Sequence, residues 1–418
     1  MSDLQRSFVK AKLARLPPEA PMSPEPLREG HEDGESLDTL GILHHDPHDD
    51  DASSASSASS TGTIKPLASR NLFARPGGAS SKKSQDQLPW SDFFEQELYL
   101  EGSFDKENIT YHVYLTPPAA SGPLFVTHHG AGSSGLSFAV FASIVRKMLP
   151  SAGILSVDAR GHGETVVHTK VPRDPSQPPI DYSLSTLSKD LLQVLELCKE
   201  KMDWKEQPSM ILVGHSLGGA VVTDVAKTGE LGDKLLGYAV LDVVEGSAMD
   251  ALQSMQTYLS SRPPAFPSIA SGIEWHTRSR TIRNPTSARV SVPSLLRRDA
   301  DPNAPRPWIW HTDLSATQPF WENWFIGLSK KFLEAKGGKL LLLAGTDRLD
   351  KELTIGQMQG KYQLQVFPEA GHFIQEDLPE RTAALVVEFY KRNDRSTLVL
   401  PPKVADILKA KQQQQQKQ

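Results

Sequence analysis

One cysteine, Cys198, stands among 418 residues. A disulfide framework is therefore excluded, and a reducing compartment, cytosol or nucleus, is expected. Long apolar runs are missing as well. No window approaches the ~18 uninterrupted apolar residues of a membrane span. The opening stretch, MSDLQRSFVKAKLARLPPEAP, carries charge but no apolar h-region, so a secretory signal is not expected. A large excess of charge of one sign is lacking: the net charge is −5, too mild for a nucleic-acid-binding surface. No G-x-x-x-x-G-K-[ST] phosphate loop occurs, and no Cys/His cluster has zinc spacing. Neither cofactor nor metal is expected. Hydrophobic residues make up only 38% of the chain, low for a fully globular protein of this length, so part of it is expected to lie outside the fold.

That part is easy to locate. HEDGESLDTLGILHHDPHDDDASSASSASSTGT is acidic, then serine-rich, with little to bury, and residues 1–86 are expected to form a disordered tail. His31, His44, His45 and His48 fall within it; with nothing nearby to fix their geometry they read as solvated polar groups rather than metal ligands. Residues 396–418, ending KAKQQQQQKQ, form a second low-complexity tail. The folded domain is expected over 87–395.

Within it, FEQELYLE and ITYHVYLT read as strands. LFVTHHGAGSSG, GILSVDARGHGET, SMILVGHS, LLGYAVLDVVEG, GKLLLLAGTDRLD and YQLQVFPEAGHF read as buried strands running into loops. FAVFASIVRKML, LSTLSKDLLQVLELCKE, GGAVVTDVAKTG and LPERTAALVVEFYKRN have helical spacing. Continuous apolar strands alternating with helices predict an α/β fold with a mostly parallel sheet covered on both faces. In such sheets functional loops gather at the carboxyl edge of the strands. Residues 250–337 break the pattern. They hold five of the seven tryptophans and are expected to be a helical or irregular insertion capping that edge, with its aromatics shared between the cap and the main domain.

The chemistry-bearing stretch is ILVGHSLGGAVV. Its G-x-S-x-G is short and weak alone, but a strand precedes it and a helix follows. That is the setting of a nucleophile elbow, which leaves a serine hydroxyl exposed on a sharp turn. Ser216 is the candidate nucleophile. Gly214 and Gly218 are expected to be required because side chains there would crowd the neighbouring strand and helix. A serine nucleophile needs a base and an orienting acid, in chain order Ser, acid, His. After the elbow come only His276, His311 and His372. His276 and His311 fall in the cap, whereas His372 follows a strand and a Gly-containing loop, so His372 is the candidate base. For the acid, strand ends supply Asp242 and Asp347 on near-equal terms, with Asp350 behind them. The oxyanion hole is expected from the amides of Leu217, next to the nucleophile, and Ala131, in the loop HHGAGSSG. DARGHGET reads as structural, with Arg160 and His162 bracing the edge of the site.

Two long segments go further. LDVVEGSAMDALQSMQTYLSSRPPAFPSIASGIEWHTRSRTIRNPTSARVS and LLLLAGTDRLDKELTIGQMQGKYQLQVFPEAGHFIQED closely resemble the protein phosphatase methylesterases, as does LPWSDFF at the start of the domain. The resemblance covers about 88–391. It implies an α/β-hydrolase fold and a serine carboxylesterase. The implied reaction is removal of the methyl ester from the C-terminal leucine carboxyl of the type 2A protein phosphatase catalytic subunit, which is thereby the expected partner. It also implies Asp242, the aspartate of DVVEG, as the acid. The long N-terminal tail departs from the shared pattern, and the cap segment LRRDADPNAPRPWIW is short where some relatives carry a long charged insertion. The alternatives are a small-molecule carboxylesterase of the same fold, or a phosphatase-binding regulator without catalysis.

Overall fold

The structure is a computed structural model, and it describes residues 86–104, 107–170, 178, 180–345, 349–394 and 396. Apart from Asp86 and Ser396, both expected tails lie outside these residues. The chain forms β1 (Gln96–Phe104), β2 (Glu107–Thr116), β3 (Leu124–His128), β4 (Gly153–Val157), β5 (Val166–Thr169), β6 (Met210–His215), β7 (Leu235–Leu241), β8 (Ala265–Phe266), β9 (Leu296–Arg298), β10 (Trp308–Trp310), β11 (Gly338–Leu343) and β12 (Gln363–Val366). The main sheet runs in the order β1-β2-β4-β3-β6-β7-β11-β12, with β5 pairing onto β2. From β4 to β12 every pairing is parallel. Those of β2 with β1, β4 and β5 are antiparallel.

Strand side chains alternate between faces, and here both faces are apolar. Leu124, Leu155, Leu212, Val240 and Leu341 point into one core, where the helices Leu184–Lys201 and Leu217–Thr228 cover them. Phe125, Ile154, Val213, Leu241 and Leu342 point into the other, beneath Ala139–Met148 and Pro379–Asn393. A sheet buried on both faces has no polar side to present, which is why its strands read as unbroken apolar runs. The register sets the parallel strands level at one edge: His128 lies opposite Gly214, Gly214 opposite Val240, and Leu241 opposite Leu342.

Between β7 and β11 the chain leaves the sheet. The sequence pattern led us to expect only helix or irregular structure here, but β8, β10 and β9 form a small antiparallel sheet. Strands of two or three residues are too short to show a period of two, so the pattern was silent. The tryptophans divide. Trp275, Trp308 and Trp310 pack with Phe266 and Ile273 into a cluster of the insertion's own. Trp321 and Trp324 belong to the main core, and the Trp324 indole N–H donates to the Tyr182 carbonyl at 2.7 Å. β5 was also missed; its four residues hang on the edge of β2.

The loop after β4 carries the DARGHGET stretch and is held by buried charge. Arg160, with no exposed surface, donates to Asp190 at 2.6 and 2.8 Å and to Glu107 at 3.0 Å. Asp158 meets His112 Nδ1 at 2.6 Å and accepts the amides of Gly135 and Glu164. The other His112 nitrogen lies 2.9 Å from Glu97. Burial acts to lower the His112 pKa, but the bonds and charges of Asp158 and Glu97 outweigh it and the net shift is upward. For Asp158 burial pushes up, and the His112 bond and its charge bring the net shift down.

These shifts fix a stability window. A raised histidine stabilises fully below its unfolded pKa of about 6.5 and loses that contribution as pH rises through its folded value; a depressed aspartate stabilises above about 3.9 and loses it as pH falls. The difference in melting temperature between the wild type and His112→Asn is therefore expected to be greatest between about pH 4 and pH 6.5 and to shrink on raising the pH further. Calorimetry across pH 4–9 checks this; a difference that grows steadily with alkalinity contradicts it.

Candidate active site

Ser216 sits between β6 and the helix Leu217–Thr228, at φ 52° and ψ −118°. A positive φ is costly for a residue with a Cβ. It is held by the Ser216 amide, which donates to the Leu241 carbonyl of β7 at 3.0 Å. The flanking glycines are required by space. A Cβ on Gly214 would stand 2.1 Å from the Gly218 carbonyl oxygen, and a Cβ on Gly218 would stand 2.1 Å from the His128 carbonyl oxygen. The helix thus starts directly against the ends of β6 and β3. Leu217 is its first residue, so its amide has no intrahelical acceptor.

The loop after β3 passes over the serine. A Cβ on Gly130 would lie 3.0 Å from Ser216 Cβ, which brings the backbone beside half-buried Ala131 close to the elbow. Two histidines fix this loop. His129 Nδ1 donates to the Gly130 carbonyl at 2.7 Å, and its Nε2 accepts the Ala159 amide at 3.0 Å. His162 Nδ1 donates to the Arg160 carbonyl at 2.9 Å, and its Nε2 accepts the Gly132 amide at 2.9 Å. Each ring donates once and accepts once, which is the neutral imidazole. Burial agrees: it drives His129 well below its ordinary pKa and His162 down to about 4. From the insertion, Leu314 closes over Gly132, where a Cβ would meet it at 2.7 Å.

Asp242 follows β7 directly, and it too has positive φ, 52°. Its amide donates to the Leu342 carbonyl at 2.8 Å, and its Oδ1 accepts the Ala344 amide at 2.9 Å. Its Oδ2 receives His372 Nδ1 at 2.8 Å. The carboxylate side chain is wholly buried, while the His372 side chain is 46% exposed. The His372 ring also packs beside His215, the neighbour of the serine, with centroids 4.7 Å apart. Among the described residues the hydrogen bonds of His372 do not include one to the Ser216 hydroxyl.

The structure therefore brings Ser216, His372, Asp242, Leu217 and the Ala131 loop to one edge of the sheet. The competing candidates among the described residues have other partners. Asp350 caps the helix Lys351–Met358 through the Leu353 amide and bonds Ser329. Asp347 lies outside the described residues. His276 is buried in the insertion, with Nδ1 donating to the Gly272 carbonyl at 2.8 Å, and the His311 backbone pairs with Leu295. Sequence reading overlooked His215 and Asp377, which contact the His372 loop; the His215 contact spans 157 positions and leaves no local signature, whereas Asp377 lies only six residues beyond Gly371, whose amide it accepts.

A serine on a strand-to-helix turn, a histidine–carboxylate pair on later loops and a doubly covered parallel sheet define an α/β hydrolase. Residues 124–385 match the alpha/beta hydrolase family. E-2-(acetamidomethylene)succinate hydrolase shares the fold with a TM-score of 0.53 at 18% identity, over 71% of this chain and 100% of that one. The sequence is 61% identical to protein phosphatase methylesterase 1 of Aspergillus oryzae, over 97% of this chain and 93% of that protein. It is 45% identical to the protein of the same name from Schizosaccharomyces pombe, over 75% and 87%. The chain belongs to the protein phosphatase methylesterase family and is a carboxylic-ester hydrolase. No helix among its described residues is long and apolar enough to cross a membrane.

The elbow's tolerance can be measured directly. Gly218→Ala places a methyl group against the backbone of β3, where no side-chain rotation relieves the clash. It is expected to destabilise by about 1–3 kcal/mol or more in urea denaturation, whereas Gly229→Ala, with open space around it, bears only the positive-φ strain.

Proposed function

We propose that the chain removes the methyl ester from the C-terminal leucine carboxyl of the type 2A protein phosphatase catalytic subunit, through Ser216, His372 and Asp242. The observation that carries this reading is the 2.8 Å bond from His372 Nδ1 to buried Asp242, beside an elbow serine, in a chain with methylesterase relatives. The bond leaves Nε2 of the imidazole free to act as base. His372 takes the Ser216 proton as the hydroxyl attacks the ester carbonyl. The Leu217 and Ala131 amides receive the negative charge of the tetrahedral intermediate. His372 then protonates the departing methoxide, and methanol leaves. Water, deprotonated by the same imidazole, attacks the acyl-enzyme, and the free leucine carboxylate is released. Asp242 holds the tautomer and balances the imidazolium.

The insertion suits a substrate that is itself the end of a protein. Leu314 closes over the oxyanion loop, and Thr312 donates to the Gly161 carbonyl at 3.0 Å, so the cap borders the place where an extended C-terminal peptide would enter. A cytosolic or nuclear location fits such a partner.

Incubation with carboxymethylated phosphatase catalytic subunit, following loss of the methyl group, tests the proposal. Ser216→Ala is expected to lower turnover by about 10⁴-fold or more; near-wild-type demethylation would end the reading. Asp242→Asn is expected to cost kcat about 10⁴-fold, and Asp347→Asn little; the reverse result transfers the acid role to Asp347. A short methylated peptide is expected to react more slowly than the intact subunit; equal rates would remove any need for a wider docking surface.

A further inference from the structure

The histidine beside the nucleophile is buried, with 1% of its surface exposed, and takes no part in the chemistry proposed above. Its Nε2 lies 2.9 Å from the main-chain carbonyl oxygen of His372. A carbonyl only accepts, so this nitrogen carries the proton. Burial and the neighbouring His372 hold the ring's pKa down to about 3, so the ring is neutral and Nδ1 is bare. Nδ1 is buried and without a hydrogen-bond partner, facing the space where a Cβ on Gly130 would lie 3.0 Å away. The ring also packs on Phe373, with centroids 5.0 Å apart. His215 therefore touches the base loop and the oxyanion loop at once, while its own backbone leads into the elbow. A buried acceptor left unpaired calls for an explanation, and a plain core side chain would supply the packing without that cost.

The base loop is held a second time. Asp377 Oδ2 accepts the Gly371 amide at 2.6 Å, and Oδ1 accepts the Arg283 amide at 2.7 Å. The peptide before Gly371 is thus fixed by Asp377, and the peptide after His372 by His215. The Cα of His372 is suspended between the two, and Asp242 then fixes the imidazole.

We propose that His215 is a positioning residue for the ester hydrolysis: as the neutral Nε2–H tautomer it anchors the main-chain carbonyl of His372, and with Asp377 it sets the orientation of the base toward Ser216. The inference rests on the reading of His372 as the base. Its chemistry demands a neutral ring, because a second positive charge beside His372 would oppose the imidazolium formed in each acyl-transfer step. The titratable groups that face His372 are Asp242 and His215 on one side, and Asp377 with its partner Arg283 on the other.

The test compares His215→Leu, which keeps bulk and removes the donor, with His215→Gln, whose amide N–H reaches a similar point. Methyl release from carboxymethylated phosphatase is measured for both, with thermal melts as a folding control. His215→Leu is expected to lose up to about 100-fold in kcat, the scale of an ångström-level misplacement, with KM changed less than about twofold. His215→Gln is expected to recover most of the loss. The alkaline and acid limbs of kcat/KM are expected to move in the Leu variant and to return in the Gln variant. Should His215→Leu fail to fold, His215→Asn, whose shorter amide falls short of the carbonyl, takes its place. A donorless variant with wild-type kcat, or a Gln variant as impaired as Leu in a folded protein, overturns the proposal. Ser216→Ala in the same assay separates the two levels. If it retains activity, the triad reading fails; if it is dead while His215→Leu is fully active, only the role of His215 fails.

Discussion

Everything at the carboxyl edge depends on how closely one helix approaches two strands. A Cβ of Gly218 is excluded by the His128 carbonyl and a Cβ of Gly214 by Gly218 itself, so the turn has no room for a side chain at either glycine flanking Ser216. At this turn Ser216 takes a positive φ, and its amide donates to the Leu241 carbonyl. The turn also places the first, unpaired amide of the helix next to the hydroxyl. Loosening this contact by a single methyl would separate the serine from the loop of β3 and from the start of the helix together.

Around this turn the histidines divide into three kinds. His128, His129, His162 and His215 are buried, and burial holds each far below the ordinary imidazole pKa. His129, His162 and His215 act as uncharged brackets on main-chain groups of separate loops, while His128 bonds only the carbonyl of the next residue. His112 differs because two carboxylates face it, and its charge is part of its bond. His372 differs again: it has one buried carboxylate partner and an open side toward solvent. Local surroundings alone turn one side chain into a bracket, an ion-pair member or a candidate proton carrier.

Much of this was legible in the order of residues. Continuous apolar runs announced a sheet buried on both faces, and G-x-S-x-G between such a run and a helical one announced the elbow. The candidate base followed by position, since of the three histidines after the elbow only His372 lies outside the insertion. The candidate acid did not follow. Asp242 and Asp347 both follow apolar strands, and only folding gives Asp242 its bond to Ala344 on the neighbouring strand end and its other bond to His372. Pairings over such distances leave no periodicity. The small sheet of β8, β9 and β10 and the edge strand β5 were hidden for a related reason: two to four residues do not establish an alternation. His215 looked like part of the serine motif, and its bond to the residue-372 carbonyl, 157 positions away, appears only once the chain is folded.

The bond between Asp242 and Ala344 spans 102 positions, yet it joins two adjacent strand ends. The insertion thus leaves and re-enters the sheet through a closed neck. Lengthening a loop whose ends are already fixed costs little, about 0.6 kcal/mol for each doubling. A lineage could therefore add or delete residues beyond that neck while the carboxylate beneath it stayed in place. Gene-level variation in length is free to accumulate in the part that borders the incoming partner, and is penalised on the strand ends that hold the aspartate.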